Sequence, residues 1–475
     1  MKDLITTYKN SSKLVKTLWT ITVFVILFVS CMHTYNDILV TAKQGLVFWD
    51  CLFSGRLFSF YKDAYIFCGN EYYPVQQYAL YPFLYYLIFA IFEFPIWLLE
   101  KIFQTNIYNT IFGNLYSKVI LLFFIACSLY MFRIVLKELG KKEKEISLYS
   151  FVFLSSIILI TSTCITSQYD VMNVFLILLG FYYWLKHDTV KFVAVFSISI
   201  NLKYFGLLFF VPLLLIEEKN VFKLAYKTIL AVLPTVILML IFSNNNADPT
   251  GVVGTSIVSS YITKFIVNDI QIGRHQVSLF VLLSILSCMI AYFYRYKDEK
   301  EKRQLAIFVL LLFIGSFCLI ARIIAYWAVL GVPVFILAVA FSNGNENRTL
   351  FFETALGTAI TLYQYFFFNW MFCAKTTSAM GILPALFHKH PEADSNIGVD
   401  GVLMSLGFGP EVIEILYIFA FAAWFALLYY AYPREKQQHP KEEINDWVLV
   451  FRTIMNLGLA LLPFVTAVFI YVVYY

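Results

Sequence analysis

LWTITVFVILFVSCMHTYND, residues 18–37, decides the fold class: Leu18 to Tyr35 carries no formal charge, and Asp37 follows two positions later. A helix of that length rises about 27 Å, close to the roughly 30 Å hydrocarbon thickness of a bilayer. The rest of the chain has the same character. Of its 475 residues 60% are hydrophobic and 14% charged, with mean hydropathy +0.75, which excludes an ordinary soluble domain. No short alternating strands of a barrel appear. Helices satisfy their own backbone groups in lipid, so the expected fold is a single all-α integral membrane domain, 1–475, a polytopic transmembrane helical bundle.

Further runs are Ser117 to Leu136, Ser147 to Thr166, Val171 to Leu185, Phe222 to Phe242, Val277 to Tyr294, Leu305 to Ala321, Ile324 to Phe341, Leu350 to Phe372, Val412 to Tyr432 and Val448 to Tyr475. Between them lie two half-length runs, Phe192 to Leu202 and Tyr204 to Ile216, joined at Lys203. The total is about thirteen spans. Counting Tyr78 to Phe103 as another crossing would put the basic loop from Lys137 to Lys144 outside, against the positive-inside bias. It is therefore read as a re-entrant hairpin broken near Pro82 and Pro95. On that topology 23 of the 35 Lys and Arg fall on the inner side and 11 on the outer. The amino terminus is then cytoplasmic, the first span is a retained anchor, and the carboxyl terminus ends in or just beyond the membrane outside. The net charge of +5 reflects basic loops meeting anionic lipid and implies no nucleic acid partner.

Three outer loops are long: 36–116, 243–276 and 373–410. Long ordered loops of compact membrane proteins usually serve a site, so the outer face is the working face. Of the eight cysteines only Cys51 and Cys68 share an outer loop, where a disulfide and two free thiols are both open readings. No CxxC pair points to a metal or redox centre.

Polar groups gather at the outer ends of spans. Gln168-Tyr169-Asp170 interrupts an apolar run, so Asp170 is either a buried functional carboxylate or the cap of the next helix. Lys203, between half-helices, either faces a site or snorkels to the boundary. Arg322, just before Tyr326 and Trp327, either grips a phosphate or anchors the interface. His275 with Arg274 opens a span and could touch an acceptor, whereas His33, His388 and His390 read as structural or loop residues. Tyr72, Tyr73, Tyr78 and Tyr81 crowd the first loop, as sugar-stacking rings or as an interfacial belt. No glycine-rich phosphate loop supports a nucleotide-sugar donor.

Tyr35-Asn36-Asp37, Phe48-Trp49-Asp50 through Arg56, Tyr61, Tyr72-Tyr73-Pro74 and Tyr81-Pro82 resemble the first outer loop of polyprenyl-phosphate-dependent GT-C glycosyltransferases. Gln168-Tyr169-Asp170, Asn201-Leu202-Lys203-Tyr204 and Arg322 with Tyr326 and Trp327 follow in the order of the GPI mannosyltransferase and bacterial mannosyltransferase-like branch, over roughly the first 340 residues. The resemblance implies inverting transfer of a mannose-like or glucose-like hexose from a polyprenyl-phosphate donor to a lipid-linked or cell-surface glycan at the outer leaflet. It assigns Asp37 the essential acidic position and Asp50 a second one. Relatives often carry two neighbouring aspartates where this chain has only Asp37, which weakens the case for a bound metal.

The residues support the same chemistry independently. Transfer in one displacement needs a base for the acceptor hydroxyl, for which Asp37 is the candidate and Asp50, Asp63 and Glu71 the rivals. The departing phosphate needs cations, for which Lys203, Arg322 and Arg274 are candidates, with Gln168, Asp170, Tyr326, Trp327 and His275 on the substrates. No cofactor is expected, and a divalent metal stays open. The expected partners are the donor, a lipid or glycan acceptor and membrane lipids, in a plasma membrane, with a composition leaning towards bacteria. The alternatives are a secondary transporter or lipid-linked-sugar flippase, which half-helices also fit, and a noncatalytic membrane subunit. The lack of an internal repeat and the one-sided polar loops oppose the transporter.

Overall fold

The computed structural model describes residues 12–69, 74–242, 270–272, 275–321, 324–342, 344–373, 382, 386, 398–433 and 443–473. Every apolar run named above contributes a helix. Seven helices among the described residues are long and apolar enough to cross a membrane: Lys13–Met32, Phe83–Phe103, Ile111–Glu138, Val221–Phe242, Glu299–Leu319, Pro410–Ala431 and Asp446–Val472. An eighth is a broken pair, Glu143–Leu154 and Ile157–Ile165, bent by 47°. The chain is a multi-pass helical membrane protein. Five of the expected spans, Val171–Leu185, Thr189–Leu202, Gly206–Glu217, Leu279–Phe293 and Tyr326–Ala340, are shorter apolar helices. Two small antiparallel ladders, Ile66–Gly69 with Pro74–Gln77 and Ile270–Ile272 with His275–Val277, were not foreseen.

Helix starts follow local chemistry. Ser12, Asp188, Ser278 and Asp298 each accept an amide hydrogen bond from the first turn of the helix they precede. Pro82 likewise stands just before Phe83–Phe103.

That helix corrects the expected hairpin, because it runs unbroken through Pro95. One lost hydrogen bond does not end a helix that is packed along its length, and this one lies against Asn36–Phe53. Tyr85 and Phe89 share Tyr169 with Thr41, Trp49 donates to Ala90 O at 2.6 Å, and Trp97 and Lys101 reach Asp50 at 2.9 and 2.8 Å. The contacts advance in the same direction on both helices, so the pair is parallel.

The pair also stays at one end of the bundle. Phe92 still touches Phe123, in the second turn of Val119–Glu138, and Tyr116 donates to Phe92 O at 3.0 Å. The Lys118 ammonium closes the excursion by binding Ser30 O and His33 O, where the first helix ends. Residues 36–118 therefore leave and rejoin the bundle at the same place.

Charged turns meet at the other end. Lys186 pairs with Glu138 at 2.6 Å, His187 lies 3.8 Å from Glu217 and 3.5 Å from Glu299, and Lys302 joins Glu217 and Glu299. Inside, the broken helix is held open by Arg452. Its guanidinium clasps Glu353 at 2.7 and 3.0 Å and donates to Ser155 Oγ at 2.6 Å and Val152 O at 3.0 Å, while Asn456 donates to Ser155 O at 2.8 Å. The carbonyls freed at the break are thus satisfied by cations and amides. Replacing Arg452 by Met strands a buried carboxylate and open carbonyls. A loss of about 3–5 kcal/mol is expected, read as a lowered unfolding midpoint in lipid or detergent. An unchanged midpoint would show that the clasp is dispensable.

Candidate functional site

Three short helices build the floor of the site. Val171–Leu185, Thr189–Leu202 and Gly206–Glu217 have 15, 14 and 12 residues, giving rises of about 22, 21 and 18 Å. The second and third fold back on each other, since Phe192 stacks on Phe210 at 5.2 Å, and Trp184 of the first donates to Leu213 O of the third at 3.0 Å. Their bases join through His187 and Glu217 at the charged end. Each is roughly 10 Å shorter than the hydrocarbon thickness of a bilayer. Lys203 is the apex of the hairpin between the second and the third.

Lys203 meets Asp170 at 2.7 Å, with both side chains buried and Asp170 fully so. The backbone brings Asp170 there by unwinding. The helix that begins at Glu143 ends in a π-turn, Thr161–Ile165, and Ser167 takes the left-handed conformation at φ 50°. That conformation is costly for a residue with a Cβ. Asp170 makes no side-chain cap to the helix it precedes. Its carboxylate is given to Lys203 instead, and Lys203 is inside the protein rather than reaching for a boundary. Tyr81, Phe205, Tyr326 and Trp327 ring the ammonium, with centroids 5.0 to 5.8 Å from Nζ. Such rings offer their negative faces to a desolvated cation.

Asp37 enters from the helix pair above. It lies in the first turn of Asn36–Phe53, where the helix dipole favours a carboxylate. Oδ2 accepts from Gln168 Nε2 at 2.8 Å. One turn on, Thr41 donates to the Tyr169 hydroxyl at 3.1 Å. Asp37 is half-buried and Asp170 sealed. Burial pushes the Asp37 carboxyl above the usual carboxylate range; the Gln168 hydrogen bond and the Lys203 charge pull it back, and the Asp170 charge raises it further.

Several buried polar atoms in these segments have no hydrogen-bond partner among the described residues: Asn36 Oδ1, Gln168 Oε1, Asp170 Oδ2, Asn173 Nδ2 and Asn201 Oδ1. Asn173 Oδ1 accepts from Ser199 Oγ at 3.0 Å, directly beneath the ion pair. Acceptors outnumber donors in this set. That composition suits a ligand rich in hydroxyl groups.

The structure thus joins Asp37, Gln168, Asp170, Lys203, Tyr326 and Trp327. It separates Asp50, thirteen positions along its helix from Asp37 and therefore about 20 Å away, where it binds Trp97 and Lys101. Asp63 is also apart, at 3.0 Å from Arg56 and 3.6 Å from Cys51 Sγ. Cys51 is a free thiol, pushed up to about 11 by burial and Asp63, and the side chain of Cys68 lies outside the described residues. Glu71, Arg274, Arg322, His388, His390 and most of the loops 243–276 and 373–410 lie outside the described residues, as does the side chain of His275. The sequence reading missed Thr41, Phe205, Tyr85, Asn173 and Ser199 as neighbours of the site. Asn173 and Ser199 were detectable as polar positions one helical turn from Asp170 and Lys203 inside apolar runs.

No protein family, curated protein or solved structure matches the chain.

The ion pair gives a stability test. Lys203→Met leaves Asp170 buried without its counter-charge and is expected to cost about 3–5 kcal/mol. Adding Asp170→Asn should recover most of that loss, because the stranded charge is gone. Additive losses in the double variant would mean that the two residues act separately.

Proposed function

We propose that the protein is a membrane glycosyltransferase of GT-C type that moves a hexose from a polyprenyl-phosphate donor to a lipid-linked or cell-surface glycan, with inversion. The observation that carries this reading is the partly exposed carboxylate of Asp37, held by Gln168, beside a buried Asp170–Lys203 pair whose second carboxylate oxygen has no hydrogen-bond partner among the described residues. A base must be reachable by its substrate, and Asp37 is. Its neighbours must hold it still, and Gln168 does. In this scheme the acceptor oxygen attacks the anomeric carbon as its proton passes to Asp37, and the carbon–oxygen bond to phosphate breaks with its electron pair leaving on the lipid phosphate. Lys203 can meet that charge only by sharing its ammonium with Asp170. One carboxylate at the reacting face accords with single displacement rather than a covalent sugar intermediate.

The same reading takes the short helices as membrane elements, giving about thirteen crossings with the excursion 36–116 on the outer face of a bacterial plasma membrane and the amino terminus in the cytoplasm. The charged turns gathered at the opposite end support that orientation. The second reading, a transporter or flippase, draws on one observation: a buried acid–base pair between half-helices.

Radiolabelled polyprenyl-phosphate hexose, purified protein in lipid and a crude acceptor extract provide the test. Asp37→Asn, folded as judged by its unfolding midpoint, should lose about 10²- to 10⁴-fold in transfer rate. Full transfer by this variant would remove Asp37 as base, and failure of the wild type with every donor, together with movement of lipid-linked sugar across vesicles, would establish the transporter instead.

The acidity of Asp37 adds a pH signature. With its value raised, the folded protein holds the proton above the ordinary carboxylate range, so this group contributes stability at acid pH that is lost as pH rises through the raised value. The ionised base exists only above that value. The acid limb of the transfer rate should therefore lie clearly above pH ~4, and a limb at or below that pH would contradict the burial.

A further inference from the structure

A cavity of about 490 Å³ opens at the charged end of the bundle, on the far side from Asp37. It is formed where the first turns of four helices converge: Lys13–Met32, Glu143–Leu154, Glu346–Phe367 and Asp446–Val473. Two of these helices lead to the site, one ending beside Asp37 and the other running on to Gln168 and Asp170. The cavity is therefore a separate place in the molecule.

Its lining has two chemistries. Val15, Leu148, Ile444 and Leu449 are apolar, whereas Lys142, Lys144, Glu145, Glu346, Glu443 and Asp446 carry charge of both signs. Some of these charges are matched internally: Lys144 pairs with Glu443 at 3.0 Å and Glu145 lies 3.8 Å from Lys141. Lys142 and Asp446 have no ion-pair partner among the described residues, although both border the same cavity. Both are exposed.

An anion alone would answer Lys142 and be repelled by the acidic side chains, which outnumber the lysines four to two in this lining. A cation alone would leave Lys142 unmatched. A ligand carrying a phosphate and a primary ammonium on one headgroup answers both, and an attached acyl chain answers the apolar wall. A volume of this size is in the range of small-molecule sites. We propose that this cavity binds the headgroup of a zwitterionic aminophospholipid from the adjacent leaflet, with the phosphate at Lys142 and the ammonium at Asp446. The assignment does not depend on the transferase reading.

Native mass spectrometry of the delipidated full chain tests it. The probes are phosphatidylethanolamine, phosphatidylglycerol and soluble glycerophosphoethanolamine. Wild type should retain phosphatidylethanolamine over phosphatidylglycerol by roughly tenfold. The paired variant Lys142→Gln with Asp446→Asn, both exposed positions away from Asp37, Asp170 and Lys203, should lose that preference with its unfolding midpoint unchanged. Equal retention of the two lipids by wild type, or an undiminished preference in the variant, overturns the proposal. Retention of soluble glycerophosphoethanolamine as strong as that of the lipid overturns the assignment to a membrane source.

Discussion

Taking a carboxylate and an ammonium out of water costs several kcal/mol each, and a bundle tolerates them only if they meet. Asp170 and Lys203 meet at 2.7 Å, and the surrounding architecture follows from that requirement. The π-turn and left-handed Ser167 deliver the acid, while the sharp apex between two half-length helices delivers the base. The four rings around the ammonium replace part of its lost hydration. Without the pair, each of these local irregularities would be an uncompensated break in a membrane helix.

Arg452 with Glu353 solves a similar problem differently. There the guanidinium is spent on a carbonyl of the broken helix as well as on its acid, and both carboxylate oxygens of Glu353 are engaged. At Asp170 one carboxylate oxygen has no hydrogen-bond partner. The contrast separates a pair whose acid is fully engaged from a pair whose acid keeps one oxygen open.

Much of this was legible in the sequence because apolar length and interruption are local properties. The helical segments, the break at Lys203 and the importance of Gln168-Tyr169-Asp170 could be read from runs and their interruptions. Asp37 was visible as an acid just past a span. What could not be read was contact between segments. Composition cannot tell a proline that breaks a helix from one that a parallel neighbour holds in register, so Tyr78 to Phe103 was expected to be a hairpin broken near Pro82 and Pro95, whereas Phe83–Phe103 is one helix. Nor could spacing distinguish Asp37 from Asp50, which are close in sequence and lie at opposite ends of one helix.

The helix pair Asn36–Phe53 and Phe83–Phe103 lies at one end of the bundle, tied to it by Tyr169 and Gln168 and at its return by Lys118. The base thus belongs to the helix pair and the ion pair to the bundle. Ile38, Leu39 and Val40, the residues that follow Asp37, are buried in the same apolar core as the bundle. Asp37 therefore cannot leave the ion pair without unpacking that core, and its separation from Lys203 is set as firmly as a distance between two neighbouring bundle helices.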